Sequence, residues 1–342
     1  MEYALLGTSG IEVSRLCLGT MTFGGPTDEA EAARIVADAR DSGVNFIDTA
    51  DVYTDGHSEE MTGRAIKGER HHWVLATKVG TAGRHLKYPG HANLSRRYVM
   101  ASVEASLTRL RTDRIDLYYI HRHDPRTPTV EVVRTMGDLI QAGKILHFGL
   151  SNLQSWQIAD MVHLCRQMGV PQPVAIQPYY NLMNRMPEVE LIPAARHFGL
   201  GVVPYSPLAR GVLTGKYKPD AEPPADSRAG RKDARLMMAE WRPESLAIAE
   251  RLQGHASARG KGIVDYAVAW GWNNAAVTSI IAGPRNFEQW RSYVGALDYG
   301  WTTEDEALAD SLVAPGHPST PGFTDPLYPV KGRFPSISGT TG

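Results

Sequence analysis

Two rhythms of apolar and polar positions alternate along this chain. Short apolar runs fall at Arg15 to Gly19, Val44 to Ile47, Trp73 to Thr77 and Ile115 to Ile120. Four more follow at His147 to Leu150, Val174 to Gln177, Gly201 to Tyr205 and Thr278 to Ala282. Bounded by turn residues, such runs predict buried strands. Between them lie longer stretches with apolar residues three and four apart. In Thr27 to Ser42, Ala32, Ile35, Val36 and Ala39 share one face, and Gly43 marks the stop. Ser95 caps a helix whose Val99, Val103, Leu107 and Leu110 align. Thr127-Pro128 opens the next as N-cap and N1. Other helices are predicted near 58–67, 154–168, 187–198, 243–258, 262–272 and 286–297.

Eight strands, each followed by a helix, predict an α/β fold. Repeated right-handed crossovers close naturally into a (β/α)8 TIM barrel. An open doubly wound sheet is the competitor, but no Gly-x-Gly-x-x-Gly follows the first strand. The expectation is one domain over 1–342, with the barrel at about 14–297 and a C-terminal arm at about 300–342. A small hairpin from Tyr3 to Val13, turned by Thr8-Ser9-Gly10, precedes it. Residues 216–242, rich in Pro, Ala and charge, read as a lid or a disordered segment. Residues 313–342, rich in Pro, Gly, Ser and Thr, read as an extended arm without a helix.

Composition narrows the function. With 36 basic and 37 acidic residues the net charge is −1, and no basic stripe with interleaved aromatics suggests nucleic acid. No apolar run is long enough to span a membrane. Met1-Glu2-Tyr3-Ala4 lacks the build of a signal peptide, so a cytoplasmic location is expected. Cys17 and Cys165 show no metal spacing and read as buried free thiols in a reducing compartment.

The chemistry lies at the strand ends. Asp48 closes the second apolar run, Lys78 the third and His121 the fourth, while Tyr53 sits in the loop after Asp48. Singly, each has an ordinary alternative: a helix-capping aspartate, a packing tyrosine, a surface lysine, a satisfied core histidine. Together, on consecutive strand ends of one barrel, they form a proton-transfer set. An ammonium at Lys78 favours a Tyr53 phenolate and is expected to lower its pKa toward the working range. Asp48 could hold Lys78, and a neutral His121 could orient a substrate oxygen.

These residues resemble the aldo-keto reductase superfamily, in a branch with bacterial reductases and potassium-channel β subunits. The likeness runs from Tyr3 to about residue 297. Gly43-Val44-Asn45-Phe46-Ile47-Asp48-Thr49-Ala50 with Tyr53, Ser58-Glu59 and Gly63 resembles the first signature. Leu107, Leu110, Ile115-Asp116-Leu117-Tyr118 and His121 resemble the second. Gly143-Lys144, Gly149, Ser151-Asn152 and the stretch from Tyr205 to Gly215 match later segments.

The resemblance implies NADPH, ahead of NADH, and no metal. It implies Tyr53 as general acid, Lys78 as its pKa-lowering partner, Asp48 as anchor and His121 as orienting group. Ser151, Asn152 and Gln177 would hydrogen-bond the nicotinamide carboxamide, and Tyr205 would stack on the ring. Gly19, Thr20, Met21 and Asp48 would lie along the cofactor. Ser206, Pro207, Leu208, Arg210, Gly211 and Lys216 would border the pyrophosphate. Gly283, Arg285 and Gln289 resemble the adenine-end segment, with Arg285 suited to a 2′-phosphate. Tyr293 stands where many relatives carry Asn, and Ala282 where proline is common.

Substrate choice in such barrels is set by loops at the C-terminal face. Phe23, Tyr53, His121 and His123 are the expected substrate neighbours. Phe23 and Tyr53 would make an aromatic wall for a cyclic carbonyl. The loop from Thr81 to Leu94, with Lys87 and Tyr88, suggests a polar, hydroxylated one such as a sugar or pyridoxal. The tail around His317 to Phe323 reads equally as a lid or as the arm of a homo-oligomer. Two other functions compete with carbonyl reduction: a nucleotide-sensing regulatory subunit on this fold, and a Schiff-base aldolase using Lys78.

Overall fold

A computed structural model describes residues 1–81 and 93–329 of the chain. A hairpin of β1 (Tyr3–Leu5) and β2 (Glu12–Ser14) comes first. Eight parallel strands follow: β3 (Leu16–Gly19), β4 (Phe46–Asp48), β5 (Val74–Val79), β6 (Ile115–Ile120), β7 (Ile145–Ser151), β8 (Ala175–Gln177), β9 (Gly201–Val202) and β10 (Ile280–Ala282). Six helices separate β3 to β9: α1 (Glu29–Asp41), α2 (His57–Ile66), α3 (Arg96–Leu110), α4 (Thr129–Gln141), α5 (Ser155–Met168) and α6 (Leu191–Phe198). The longest crossover, from β9 to β10, holds α7 (Ala234–Ala239), α8 (Pro243–Ala258) and α9 (Ile263–Asn273); α10 (Phe287–Gly295) and α11 (Thr303–Leu312) end the series.

The sheet runs β10-β3-β4-β5-β6-β7-β8-β9. It closes on itself through a parallel bridge between Val202 and Val277, and Ile281 N donates to Pro204 O at 3.1 Å. The (β/α)8 barrel expected from the repeated crossovers is therefore the fold.

Side chains alternate across each strand, so one set fills the barrel and the other faces the helices. Leu16, Leu18, Ile47, Leu75 and Ile115 join the outer core with the helix faces. Cys17, Phe46, Ala76, Leu117, Tyr119, Ala175, Val203 and Ile281 form a separate inner plug. Leu6 and Val13 of the hairpin complete that plug, so the N-terminal segment seals the barrel floor. Tyr119 fits because β7 carries Gly149 beside it: a Cβ there would lie 2.5 Å from the tyrosine ring.

Three expectations change. Thr127 is not the cap of α4: Pro128 holds the N-cap position, and the Thr127 hydroxyl donates to Asp124 Oδ2 at 3.1 Å. The segment 216–242 carries α7 and is built into the fold, with Tyr217 and Leu236 buried. The region after 300 is not wholly an arm. Thr302 and Asp305 form a capping box that starts α11.

From Val313 to Pro329 the chain has no helix and folds back on its own barrel. Arg185 N donates to His317 O and Ser319 N to Met183 O, and Arg242 lies 3.9 Å above the Phe323 ring. Arg235 grips both oxygens of Asp325. Lys87, Tyr88 and the rest of 82–92 lie outside the described residues, as do 330–342. Both cysteines are free and buried. Among the described residues, no helix is long and apolar enough to cross a membrane.

Candidate active site

The inner plug explains where the polar residues sit. Each is the next inward-facing position above a plug residue: Asp48 above Phe46, Lys78 above Ala76, and His121 above Tyr119, with Gly19 above Cys17 carrying no side chain there. Gln177 follows Ala175 and Tyr205 follows Val203 in the same way. The C-terminal mouth of the barrel is thus lined by one polar layer resting on an apolar one.

At its centre, Lys78 and Asp48 are both buried. Lys78 Nζ donates to Asp48 Oδ1 at 2.5 Å, to Thr49 O at 2.6 Å and to Tyr53 Oη at 3.4 Å. Asp48 Oδ2 accepts from Gln177 Nε2 at 2.9 Å. Burial raises Asp48, which favours its neutral form. Burial also lowers Lys78, but Asp48 and Tyr53 more than offset this and leave the ammonium above its ordinary pKa. The geometry favours the ion pair, since Asp48 receives two donors and Lys78 meets three acceptors.

Tyr53 is delivered by a strained turn. Thr54 (φ 48) and Asp55 (φ 55) adopt left-handed backbone, and Thr54 Oγ1 donates to Phe23 O at 2.8 Å. Such conformations cost on the order of 1 kcal/mol or more each and cluster at functional sites. Burial raises the Tyr53 phenol above its ordinary value; Lys78 pulls it down and Asp48 pushes it up. The expected fall toward neutrality is therefore corrected, because burial outweighs the charge of Lys78.

His121 stands edge-on to Tyr53, with ring centres 6.1 Å apart. Burial, then Lys78 and Arg122, lower its pKa to about 3, so the imidazole is neutral. Its Nδ1 is buried without a hydrogen-bond partner among the described residues.

Support lies behind this layer. Ser58 Oγ donates to Thr20 O at 2.7 Å and meets Thr49 Oγ1 at 2.9 Å. Glu59 accepts from Thr77 Oγ1 at 2.5 Å and from Arg109 Nε at 2.7 Å. These contacts hold α2, and the loop carrying Thr49, against the strands.

Most of the remaining candidates lie around the same mouth. Tyr205 Oη donates to Asn152 Oδ1 at 2.9 Å, and Asn152 Nδ2 donates to His121 O and Ser151 Oγ. Ser151 Oγ donates to Gln177 O at 2.9 Å. Beyond Tyr205, Ser206 (φ 60), Arg210 (φ 53) and Gly211 (φ 105) turn the chain through left-handed conformations around Pro207 and Leu208. Lys216 lies against Gly211. Arg285 N is held by Gln289 Oε1 at 2.9 Å, and its Nη1 donates to Asp226 O at 3.0 Å. Met21 is exposed at the mouth, whereas Phe23 is fully buried in the outer core. His123 is half-buried in the loop after β6, and Gly283 directly follows β10.

Several neighbours escaped the sequence reading. Tyr179 stacks on Tyr205 at 5.6 Å. Asn181 Nδ2 donates to Ser206 O at 3.0 Å and to Glu240, whose carboxyl burial pushes up to about 8. Arg228 is pressed below its ordinary pKa by burial, with Arg210 adding to the effect. Burial and Arg235 do the same to Arg210, and its Nε has no partner among the described residues. A run of basic residues at 228–235, leading into the first turn of α7, was the available signal for Arg228 and Arg235. The arm reaches this region as well: burial, then Tyr328, raise the Tyr205 phenol.

These features define an α/β-barrel enzyme whose polar groups converge at the C-terminal ends of the strands. The chain belongs to the aldo/keto reductase family, whose model matches residues 15–314. An uncharacterized oxidoreductase YrpG of Bacillus subtilis (strain 168) is 36% identical over 329 residues, covering 92% of this chain and 97% of that protein. A probable voltage-gated potassium channel subunit beta of Oryza sativa subsp. japonica is 36% identical over 304 residues, covering 87% and 92%. A versiconal hemiacetal acetate reductase of Aspergillus parasiticus is 31% identical over 305 residues, covering 82% and 88%. The protein is an oxidoreductase acting on carbonyl groups.

Proposed function

We propose that the protein reduces an aldehyde or ketone to the alcohol with NADPH, reversibly, and that Tyr53 is the general acid. The observation that carries this reading is the buried chain Asp48–Lys78–Tyr53 beside a neutral His121. When bound, NADPH supplies the hydride that goes to the carbonyl carbon. Tyr53 Oη gives its proton to the carbonyl oxygen, and Lys78 stabilises the charge left on the phenol. His121, being neutral, can offer one ring N–H to the same oxygen and so fix its direction. A phenol held above its ordinary pKa is fully protonated at neutral pH, which suits a proton donor.

The residues at the mouth fit a dinucleotide phosphate. Arg210 has an orphaned buried Nε, and Arg228, Lys216 and Arg285 add charge along the same side. Arg285, Gln289 and Gly283 would hold the 2′-phosphate end, with Arg228 and the buried Tyr293 close by. Ser151, Asn152 and Gln177 would take the carboxamide, and Tyr205 the ring face. Gly19, Thr20 and Met21 would flank the cofactor from the β3 side. Met21, Tyr53, His121 and His123 would border a polar or cyclic carbonyl, the sugar-, pyridoxal- or xenobiotic-ketone class. We assign this work to a single barrel domain.

A Schiff base at Lys78 is disfavoured, because an ammonium held by three acceptors is not a nucleophile. A regulatory role has one observation in its favour, the likeness to the plant proteins called potassium channel subunits. A panel of aldehydes, keto-sugars, pyridoxal and cyclic ketones, followed by loss of NADPH or NADH absorbance, separates the readings. Oxidation of NADPH, faster than of NADH, is expected with one class. Failure of every carbonyl with both cofactors, alongside capture of a membrane partner, would replace the enzyme by the regulatory subunit.

A further inference from the structure

Gln177 stands on β8, four strands from β4 in an eight-stranded barrel, and so faces Asp48 across the full width of the mouth. Its Nε2 donates to Asp48 Oδ2 at 2.9 Å, while Lys78 takes Oδ1. These are the two side-chain donors to the carboxylate among the described residues. Both Gln177 and Asp48 are 2% exposed, so no solvent donor replaces either. The Gln177 backbone is itself fixed, paired with Ser151 in register and holding the Ser151 hydroxyl on its carbonyl. A side chain placed only to meet a ligand needs no second anchor inside the barrel wall. This one ends on the counter-ion of the proton donor's partner.

We infer that Gln177 is a positioning residue for proton transfer: by sharing the charge of Asp48, it sets how much of the Lys78 ammonium acts on Tyr53. The inference rests on the reading of Tyr53 as general acid. A carboxylate that loses one of its two donors concentrates its charge on the other. Asp48 then draws Lys78 more strongly, and less positive charge reaches the phenol. The Tyr53 pKa rises as a result.

The other groups around the pair leave this effect visible. Cys17 from β3 and Tyr119 from β6 are driven toward their neutral forms by burial and by Asp48; Gln177 pulls Tyr119 the other way, a contribution common to both proteins of the Tyr53→Phe subtraction. His121, just past β6, is neutral. The charges acting on Tyr53 are Lys78, Asp48 and Arg210, the last from the loop after β9.

The test is an ultraviolet difference titration of the full chain without cofactor, with the Tyr53 step isolated by subtracting the matching Tyr53→Phe protein. Removing one charge-assisted hydrogen bond, felt through Lys78, should raise that step by about 0.5–1 pH unit in Gln177→Met. Gln177→Leu, which likewise leaves Asp48 Oδ2 without its donor, should raise the step as far and serves alone if the Met variant does not fold. A Tyr53 step that coincides with wild type, or moves down, overturns the inference, even if NADPH binding weakens. A step that rises in a protein that oxidises NADPH with no carbonyl upholds the positioning and removes the catalytic reading instead.

Discussion

The barrel carries an ion pair at each end, partly buried below and fully buried above. Below the strands, Arg70 donates to Asp116 Oδ2 at 2.6 Å, to Trp73 O at 2.8 Å, to Arg114 O at 2.9 Å and to Thr112 Oγ1 at 3.0 Å. Asp116 also accepts from Leu75 N at 2.9 Å. That node is filled, and it ties the starts of β5 and β6 together. Above the strands, Lys78 and Asp48 are buried more deeply, yet their neighbourhood is unfinished. Lys78 reaches Tyr53 at a long 3.4 Å, and His121 Nδ1 and Arg210 Nε have no partner among the described residues. A filled polar node does structural work; an open one is placed for something that arrives.

Substitutions at the two ends should separate the roles. Lys78→Met is expected to lower turnover by about 10²- to 10⁴-fold, the usual range for losing proton-transfer assistance. It also strands a buried Asp48, at a cost of about 3–5 kcal/mol. Wild-type turnover in that protein would erase the distinction between the ends. Asp116→Ala should do the reverse: urea melts should show a loss of about 3 kcal/mol, with kcat of the folded protein unchanged. A tenfold fall in kcat without lost stability would contradict it.

A second filled node offers a smaller, pH-dependent case. Asp305 is fully buried and accepts from His255 Nε2 at 2.6 Å, from Tyr299 Oη at 3.0 Å and from Arg259. Although burial pushes its pKa up, Arg259, His255 and Thr302 bring it down to about 2. A carboxyl lowered on folding adds stability above its unfolded pKa, and the gain disappears as pH falls through the folded one. Asp305→Asn should therefore cost about 2 kcal/mol at neutral pH and much less near pH 2, with the gap closing below about pH 4. Equal losses at both pH values would refute the ionic account.

The smallest expected effect is a flat one. With His121 held at about 3 and Tyr53 raised above its ordinary value, reduction at saturating cofactor should not titrate between about pH 5 and 8. An acid limb near the ordinary histidine pKa would show that His121 carries a proton in the working enzyme.

The sequence made the filled and open nodes unequally legible. Strand order and the four central residues could be read because each closes an apolar run or follows one closely. α11 also carries a local signal in the chain, its Thr302–Asp305 capping box. What stayed hidden were contacts between distant segments. Gln177 meets Asp48 from 129 residues away, and Arg235 meets Asp325 from 90. No periodicity encodes such pairs; they exist only once the barrel has closed. The ionisation of Tyr53 is hidden for a related reason. The charge of Lys78 is visible in the chain, whereas the burial that outweighs it belongs to the fold.

The central claim is that Tyr53 supplies the proton and does not hold the nucleotide. Tyr53→Phe removes one hydroxyl and leaves the ring against Lys78 and His121. Its turnover with the best carbonyl substrate should fall by about 10²- to 10⁴-fold, while the Kd for NADPH stays within a few fold of wild type. Turnover retained at the wild-type level in that variant would contradict the account.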